Sequence, residues 1–252
     1  MKSGENAKIV RTVIFDLDQC LLQTRSANPE IENRILSDPK LMALRGRFYQ
    51  VDFPDYKQKK GTGTNLHMWG VTRPHFDEFL MFCRSYFDII CVWSAGEYSY
   101  VHSIVEQIFN DIRVPDVIFT RDDLDYTSNG NYHKPIRKIL EHPSIKGKAT
   151  LEHSFFVDDM GDNFITSPGN GVVIPEYTPA PTISSLMTDD ICLLQLRLWL
   201  LLDDVRNAPD VRNLKKSYIF ISTLVNTPRS SHNMGLYSDL SPVRAMSISV
   251  SA

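Results

Sequence analysis

The sequence has few cysteines, the residues that are frequent in disulfide-bonded secreted proteins and in zinc-binding proteins. It contains only four cysteines among its 252 residues, and no two of them form a CxxC pair. Cys20, Cys83 and Cys91 lie in apolar segments, which indicates buried, reduced thiols rather than disulfides or a zinc site. We therefore expect an intracellular protein, located in the nucleus or the cytoplasm.

An excess of positive charge is also missing. Lysine and arginine number 27 against 30 aspartates and glutamates, which leaves a net charge of −3. Proteins that grip a nucleic-acid backbone concentrate Lys and Arg on one surface, so we expect no direct nucleic-acid partner. Only "YKQKKGT", residues 56–62, is locally basic, and it lies at the tip of a predicted hairpin.

No apolar run is long enough to cross a membrane. The opening "MKSGENAKIV" is polar and lacks the apolar core of a signal peptide. The most apolar run, "ICLLQLRLWLLL" at 191–202, is too short for a bilayer and contains Gln195 and Arg197. We predict a packed amphipathic helix over about 186–204 and no membrane partner.

What the sequence does contain is an alternation of strands and helices. Strands are predicted at about 9–16, 88–93, 116–120, 154–159 and 171–175, and helices at about 75–86, 97–110, 134–142 and 186–204. Because these strands are apolar throughout rather than at every second residue, they indicate a parallel sheet that is covered on both faces. The predicted fold class is α/β, a Rossmann-like parallel sheet with helices on both faces, and ligands of such folds bind at the carboxyl ends of the strands.

Two of the predicted helices show an apolar stripe at helical spacing. In the helix at 75–86 the stripe is Phe76, Phe79, Leu80 and Phe82. In the helix at 97–110 it is Tyr98, Val101, Ile104, Val105 and Ile108. These residues are expected to face the sheet.

The remaining segments define the domain organisation. Residues 47–53 and 65–73 are β-like and predict a small hairpin insertion over about 47–73. The roughly 40 residues between Ser94 and Lys134 leave no room for a large cap domain. We expect one domain over residues 1–215 and a C-terminal extension, 216–252, that is mostly a disordered tail, because it is rich in Ser, Asn and Pro. Within this extension, residues 217–225 could form one more strand.

Polar side chains follow three of the predicted strands, and a lysine opens the helix between the last two. They are Asp16, Asp18, Ser94, Asp158 and Asp159, with Lys134 as the lysine. Each alone could be a turn or cap residue. Because parallel strands bring their carboxyl ends to one edge, we expect the carboxylates to converge, where like charges need compensation. A hard divalent cation such as Mg²⁺, bound by Asp16, Asp18, Asp158 and Asp159, would supply it.

This set has the parts that phosphoryl transfer requires: an oxygen nucleophile, a metal, a proton donor and groups that hold phosphate oxygens. Asp16 is the candidate nucleophile and Asp18 the candidate general acid and base. Ser94 is the candidate donor to a phosphate oxygen. Lys134 is expected to balance the charge of the phosphate and the nucleophile.

The segment "FDLDQCLL" resembles the D-x-D-x-T/V-L signature of the haloacid dehalogenase superfamily. More closely, the sequence resembles the small C-terminal-domain phosphatases, the NLI-interacting-factor-like branch that includes the TFIIF-associating phosphatase. Further segments resemble motifs of that branch in the same order: "TRPHFDEFL" (72–80), "FDIICVWSAGEYSYVHSIVEQI" (87–108), "GNYHKPIRKI" (130–139), "FFVDDMGDNF" (155–164) and "GNGVVIPEY" (169–177). The resemblance spans roughly residues 10–210 and identifies Lys134, rather than Lys138, as the motif lysine.

The resemblance implies a Mg²⁺-dependent phosphatase that works through an aspartyl-phosphate, on phosphoserine or phosphothreonine in proteins. It also implies that the backbone carbonyl of Asp18 faces the metal. An uncapped, open site suits a phosphorylated protein or peptide. Two alternatives remain: a phosphatase of nucleic-acid ends or small metabolites, and a catalytically weak module that binds phosphoproteins.

The sequence departs from the family pattern at four positions. Cys20 stands where the first motif has Thr or Val, and Gln19 stands where Glu is frequent. Asp159 replaces an Asn of the nearer relatives, and Pro135 replaces the Asp after the motif lysine. None of these changes removes a group that the chemistry requires, so catalysis is still expected.

Two arginines are candidates for contact with the substrate. Arg73 could hold the substrate loop, and the alternative is a structural salt bridge. Arg121 could reach a phosphopeptide, and the alternative is a solvated turn. The sequence alone leaves both pairs of alternatives open.

Overall fold

The computed structural model describes residues 9–54, 65–109, 112 and 114–220. Its strands are β1 (Thr12–Phe15), β2 (Leu22–Ser26), β3 (Phe48–Pro54), β4 (Asn65–Thr72), β5 (Ile89–Trp93), β6 (Val117–Phe119), β7 (Asp125–Tyr126), β8 (Tyr132–His133), β9 (Ser154–Asp158) and β10 (Gly171–Val173). Its α-helices are α1 (Pro29–Ser37), α2 (Met42–Arg45), α3 (Phe76–Tyr86), α4 (Tyr98–Phe109), α5 (Ile136–Leu140), α6 (Ile183–Leu186), α7 (Cys192–Leu200) and α8 (Asp203–Arg206), and short 3-10 helices lie between and after them. Among these described helices, none has the length and apolarity needed to cross a bilayer.

The main sheet has five parallel strands in the order β10-β9-β1-β5-β6. This confirms the predicted α/β class with a parallel sheet. The central strand β1 is buried on both faces, which explains why its residues are apolar throughout. Phe15, the last residue of β1, is paired with Val92 of β5 and Val157 of β9. The carboxyl ends of the three strands, at Phe15, Trp93 and Asp158, therefore lie side by side at one edge of the sheet.

Helices cover both faces of this sheet. Val13 and Phe15 belong to a core on one face, which α3, α4 and α7 build, and Ile14 belongs to a second core on the other face, which α5 helps to build. The alternation of β1 side chains between the two cores is the ordinary period of a strand. The two cores hold β1, and with it the start of the next loop, in a rigid position.

The inserted β structure is larger than the predicted hairpin. β3 and β4 are antiparallel, as expected for residues 47–73, but β2 pairs with the other edge of β4 and completes a three-stranded sheet, β2-β4-β3. β2 has the sequence "LQTRS", which carries one apolar residue and no clear period. Its strand conformation comes from the backbone hydrogen bonds to β4, which sequence pattern does not reveal. The basic hairpin tip, 56–62, lies outside the described residues.

The prediction of a single long helix over 186–204 is wrong. The structure instead has α6, α7 and α8 in this region. The break before α7 occurs at Asp190, whose carboxylate accepts a hydrogen bond of 2.9 Å from the backbone N–H of Cys192. Aspartate side chains of this kind compete with the helical backbone and start a new helix. At the other end, Leu202 has an extended backbone that separates α7 from α8.

The possible strand at 217–225 is only partly described. Residues 217–220 form turns rather than a strand. Residues 221–225, and the tail expected at 226–252, lie outside the described residues. The structure therefore does not test the predicted extension.

A charged cluster joins α1 to the three-stranded sheet. The Nε2 atom of His67 lies 2.8 Å from Oε2 of Glu32, and its Nδ1 atom lies 2.7 Å from Oδ1 of Asp52. Gln50 donates a further hydrogen bond of 2.7 Å to the buried Glu32. Since both ring nitrogens face carboxylates, the doubly protonated imidazolium fits this position best.

This cluster predicts a stability that depends on pH. The hydrogen bonds that His67 donates to Glu32 and Asp52 raise its pKa. Its contribution to stability is therefore complete below its ordinary pKa of about 6.5 and is lost as the pH rises through the higher folded pKa. Burial acts to raise the pKa of Glu32, but His67 and Gln50 outweigh it and lower that pKa, so the Glu32 contribution is lost only in acid. The thermal unfolding midpoint should therefore decrease as the pH is raised from 6 to 9.

The His67→Gln variant should show a smaller fall than wild type, because its side chain does not titrate. His142→Gln is the matched control, since it also removes one imidazole but lies outside the cluster. Equal slopes for wild type and His67→Gln in calorimetry over this pH range would contradict the prediction.

Candidate active site

The register of the parallel sheet brings two of the predicted carboxylates together. Asp16 follows β1 and Asp158 ends β9, and the backbone N–H of Asp16 donates to the carbonyl of Val157 over 3.0 Å. The ladder between the two strands thus continues into the site. Asp16 is 7% exposed and Asp158 is fully buried, so both carboxylates lie at the closed end of the site.

Lys134 bridges these two carboxylates. Its Nζ atom donates to Oδ1 of Asp16 over 2.6 Å and to Oδ2 of Asp158 over 2.8 Å. The lysine follows β8, and its backbone N–H donates to the carbonyl of Asn163 over 2.6 Å. The small β7-β8 hairpin and the loop after β9 therefore hold Lys134 in place from both sides.

Asn163 was not predicted as a site residue. Its side-chain amide donates to both oxygens of Asp158, over 2.8 and 2.9 Å, and the backbone N–H of Met160 donates to Oδ1 over 2.9 Å. These contacts fix the orientation of the Asp158 carboxylate. The available sequence signal was an amide side chain five residues after Asp158, within the same motif.

Three carboxylates could hold a metal ion. Asp16, Asp158 and Asp159 each offer one oxygen, and these oxygens all lie within 4.8 Å of one another. Such a set of hard oxygen donors fits Mg²⁺. Asp18, the fourth predicted ligand, is not part of this group, and Oδ1 of its carboxylate accepts a hydrogen bond from the hydroxyl of Tyr100. Only its backbone carbonyl remains as the contact that the family resemblance implies.

The charges of the site are unbalanced. Burial raises the pKa of Asp16, Asp158 and Asp159 raise it further, and Lys134 acts in the opposite direction. Burial, and then Asp158, raise the pKa of Asp159 to about 7. Burial acts to lower the pKa of Lys134, but Asp158 and Asp16 outweigh it, so that pKa is raised. The charged ammonium of Lys134 thus faces three carboxylates, so a further cation is needed to balance the charge of the site.

The loop after β1 places Asp18 beside this cluster. Gln19 has φ = 64°, in the left-handed region that a non-glycine residue rarely adopts, and this reverses the chain. Its N–H donates to the carbonyl of Leu22 over 2.8 Å, and its carbonyl accepts from the N–H of Tyr177 over 2.7 Å. The atypical Gln19 is thus held by its backbone, and its contribution is the turn that sets the direction of Asp18.

Cys20, the second atypical residue of the motif, is a packing residue. Its side chain is fully buried, and its sulfur lies 3.7 Å from the carbonyl of Val157. Burial, and then the nearby Asp16, raise the pKa of the thiol well above its ordinary value. The thiol therefore stays protonated and is not suited to act as a nucleophile.

Ser94 lies at the same edge of the sheet, directly after β5. Its backbone N–H donates to the carbonyl of Phe119, and its hydroxyl accepts from the N–H of Gly96 over 3.1 Å. The side chain is 2% exposed. Because the hydroxyl oxygen accepts from Gly96, its hydrogen is available to another acceptor, which makes donation to a phosphate oxygen a workable role.

The two arginines have different environments. Arg73 is fully buried, and its guanidinium donates to both oxygens of Asp190, over 2.8 and 2.9 Å, and to the carbonyl of Cys20 over 3.0 Å. These contacts favour the structural alternative for Arg73 over contact with a substrate. Arg121 is half-buried and pairs with Glu97 at 3.1 Å. Its contact with a substrate remains a prediction.

Comparison with known proteins gives one family and a set of similar folds. The family model described as NLI interacting factor-like phosphatase matches residues 11–212. The structure of a variant of the fission yeast RNA polymerase II CTD phosphatase Fcp1, bound to beryllium fluoride, matches this chain with a TM-score of 0.51 and 15% sequence identity. A second structure of Fcp1, described as an essential RNA polymerase II CTD phosphatase, has a TM-score of 0.50 and 19% identity.

Both likenesses cover 67% of this chain but only 42% of Fcp1. The chain thus spans about two fifths of the length of the structures that it matches. At this level of identity they show the fold alone, which is the predicted haloacid dehalogenase fold. The search of curated proteins found no match.

Proposed function

Because the chain belongs to the NLI interacting factor-like phosphatase family, we propose that it hydrolyses phosphomonoesters through an aspartyl-phosphate on Asp16. The observation that carries the proposal is the cluster at the carboxyl edge of the sheet. There Lys134 binds Asp16 and Asp158, and Asp159 adds a third carboxylate oxygen within 4.8 Å. A buried carboxylate beside a fixed ammonium is a well-placed oxygen nucleophile.

In the first step, a carboxylate oxygen of Asp16 attacks phosphorus and forms the acyl-phosphate bond. The bond from phosphorus to the ester oxygen breaks, and its electron pair stays on that oxygen, which takes a proton from Asp18. Lys134 binds Oδ1 of Asp16, which leaves the second oxygen for the attack. The hydroxyl of Ser94 holds a phosphate oxygen during this step.

In the second step, water attacks the same phosphorus while the ionised Asp18 takes a proton from it. The bond between phosphorus and Asp16 breaks, its electron pair returns to the carboxylate, and phosphate is released. Asp18 regains the proton that it gave in the first step, so the enzyme returns to its starting state. The same residue therefore acts first as acid and then as base.

The residues present fit a Mg²⁺ ion. Asp16, Asp158 and Asp159 would hold it, since all three offer carboxylate oxygens and the cluster has more negative than positive charge. When bound, Mg²⁺ would offset the charge of the phosphate and of the carboxylates. Lys134 and Asn163 would keep Asp158 oriented toward the metal.

We propose phosphoserine and phosphothreonine in proteins as the substrate class. Between Ser94 and Lys134 the described residues form only α4, β6, a 3-10 helix at Arg121–Asp123, the small β7-β8 hairpin and turns, so the described residues of this segment include no separate domain over the site. An open site accepts a residue within a polypeptide. The named activity of Fcp1, on a domain of RNA polymerase II, supports the same class. An intracellular location, in the nucleus or the cytoplasm, belongs to this proposal.

The test is a comparison of substrates with the purified full chain. We expect turnover of p-nitrophenyl phosphate with Mg²⁺ and its loss with EDTA. The kcat/KM for phosphoserine peptides should exceed that for phosphorylated oligonucleotides by at least about tenfold. The reverse ratio would favour nucleic-acid ends, and binding of phosphopeptides without any turnover would favour a binding module.

A further inference from the structure

A chain of three buried hydroxyl groups reaches Asp18 from outside the main sheet. The hydroxyl of Tyr100, on α4, lies 2.5 Å from Oδ1 of Asp18 and 2.7 Å from Oγ1 of Thr24, on β2. Oγ1 of Thr24 in turn lies 2.8 Å from the hydroxyl of Tyr49, on β3. All three side chains are at most 6% exposed. We call this chain, Tyr49-Thr24-Tyr100, the hydroxyl relay.

Two glycines make the relay sterically possible. Thr24 and Tyr49 are both paired with Gly70, which lies between them on β4. A Cβ atom at Gly70 would collide with the hydroxyl of Tyr49, so the absent side chain lets Tyr49 cross the middle strand and reach Thr24. Similarly, a Cβ atom at Gly96 would lie 2.7 Å from the ring of Tyr100.

The hydrogen atoms of the relay have a defined direction. An ionised carboxylate carries no hydrogen, so Tyr100 must donate its single hydroxyl hydrogen to Asp18. Thr24 then directs its own hydrogen toward Tyr100 or the carboxylate, and Tyr49 donates to the oxygen of Thr24. The three hydroxyls therefore all orient their hydrogens toward Asp18.

Burying three hydroxyl groups costs free energy of desolvation, and the need to fill space does not account for their presence. Each buried hydroxyl must be hydrogen-bonded to offset its lost hydration, and apolar side chains of similar shape would fill the same space. The hydrogen bonds converge on Asp18 and hold one of its two oxygens. The other oxygen is then the one that can carry a transferable proton.

We propose that Tyr100, Thr24 and Tyr49 are positioning residues that hold Oδ1 of Asp18, so that Oδ2 delivers the proton to the leaving oxygen. This inference rests on the proposed function, because it assigns a role within the same reaction. It gives the three-stranded sheet a part in catalysis, through Thr24 and Tyr49. In the step concerned, the bond between phosphorus and oxygen breaks, and the leaving oxygen gains the proton that Oδ2 loses.

The test uses the dependence on the leaving group. A serine alkoxide is a poor leaving group and needs the proton, whereas p-nitrophenolate leaves without one. Tyr100→Phe should therefore lower kcat/KM for a phosphoserine peptide by about 10- to 100-fold, and for p-nitrophenyl phosphate by less than about threefold. The value of kcat/KM is the right measure because it reports only the steps up to release of the leaving group.

Several variants separate a positioning role from a structural one. Asp18→Asn should show the same selective loss, and adding Tyr100→Phe to it should cause little further loss, since both changes remove the same function. Thr24→Val and Tyr49→Phe should give smaller losses in the same direction. Tyr126→Phe, on an exposed tyrosine of the β7-β8 hairpin, should change neither value.

Equal loss on both substrates in Tyr100→Phe would overturn the proposal, and so would full additivity with Asp18→Asn. If Tyr100→Phe fails to fold, the same comparison in Thr24→Val decides. Failure of the proposed function looks different, because wild type would then hydrolyse neither substrate. Thermal unfolding of each variant accompanies the assays.

Discussion

Asp16→Asn is expected to lower turnover of any phosphomonoester by at least about 10³-fold, as removal of a catalytic nucleophile does in other enzymes. The amide nitrogen and the neutral carbonyl cannot form the acyl-phosphate bond at a useful rate. Asparagine has nearly the same shape as aspartate, so packing around β1 should be retained. The measurement is kcat on p-nitrophenyl phosphate together with a test for a phosphorylated enzyme after rapid quenching.

The fold of this variant should remain intact. One lysine faces three carboxylates in the site, so removing one negative charge relieves repulsion, and the thermal midpoint should not fall below that of wild type. Asp162→Asn is the matched control, since Asp162 is exposed in the loop after β9 and its change should leave kcat unaltered. Undiminished turnover in Asp16→Asn would exclude the aspartyl-phosphate mechanism.

Lys134→Met is expected to destabilise the protein by about 3–5 kcal/mol, because it leaves buried carboxylates without their cation. Lys134 is 1% exposed and Asp158 is fully buried, and the two form an ion pair at 2.8 Å. Methionine fills nearly the same space, so the loss comes from the charge rather than from a cavity. Urea unfolding of the two proteins, monitored by circular dichroism, measures the difference.

Lys138→Met, in α5 and four residues further along the chain, is the matched control. Lys138 pairs with Asp125 at 3.0 Å, but both side chains are more than a third exposed, and such surface pairs contribute only about 0–1 kcal/mol. Adding Asp16→Asn to Lys134→Met should restore part of the lost stability, since it removes one of the unpaired charges. If Lys134→Met destabilised no more than Lys138→Met, the charge argument for the site would fail.

The parts of this protein that its sequence predicts are those that depend on neighbours along the chain. The uninterrupted apolar strands and the helical stripes indicated a parallel α/β fold, and the sheet order confirms it. Asp16, Ser94 and Asp158 could be placed at one edge because parallel strands share the direction of their carboxyl ends. Lys134 was predicted from its position between the last two strands, and the family resemblance distinguished it from Lys138. The structure locates it between two of these carboxylates.

The helix α4 shows where this reasoning stops. Its predicted stripe included Tyr98, but Tyr98 is 63% exposed, and Tyr100, which the stripe omitted, is buried. The period of a helix places both tyrosines near the edge of the apolar face. Tyr100 packs into the core beside β1, and its hydroxyl is hydrogen-bonded to Asp18 and Thr24, which lie far from it in sequence.

The sequence thus predicted which polar residues follow the strands, because each motif contains these residues in a fixed order. The sequence did not predict four contacts. These are the hydrogen bond from Tyr100 to Asp18, the pairing of β2 with β4, the passage of Tyr49 across Gly70, and the burial of Arg73 against Asp190. Each of these joins segments distant in the chain, and each depends on which side chains the packed sheets leave room for. Register and steric fit between strands, rather than pattern within them, decide such contacts.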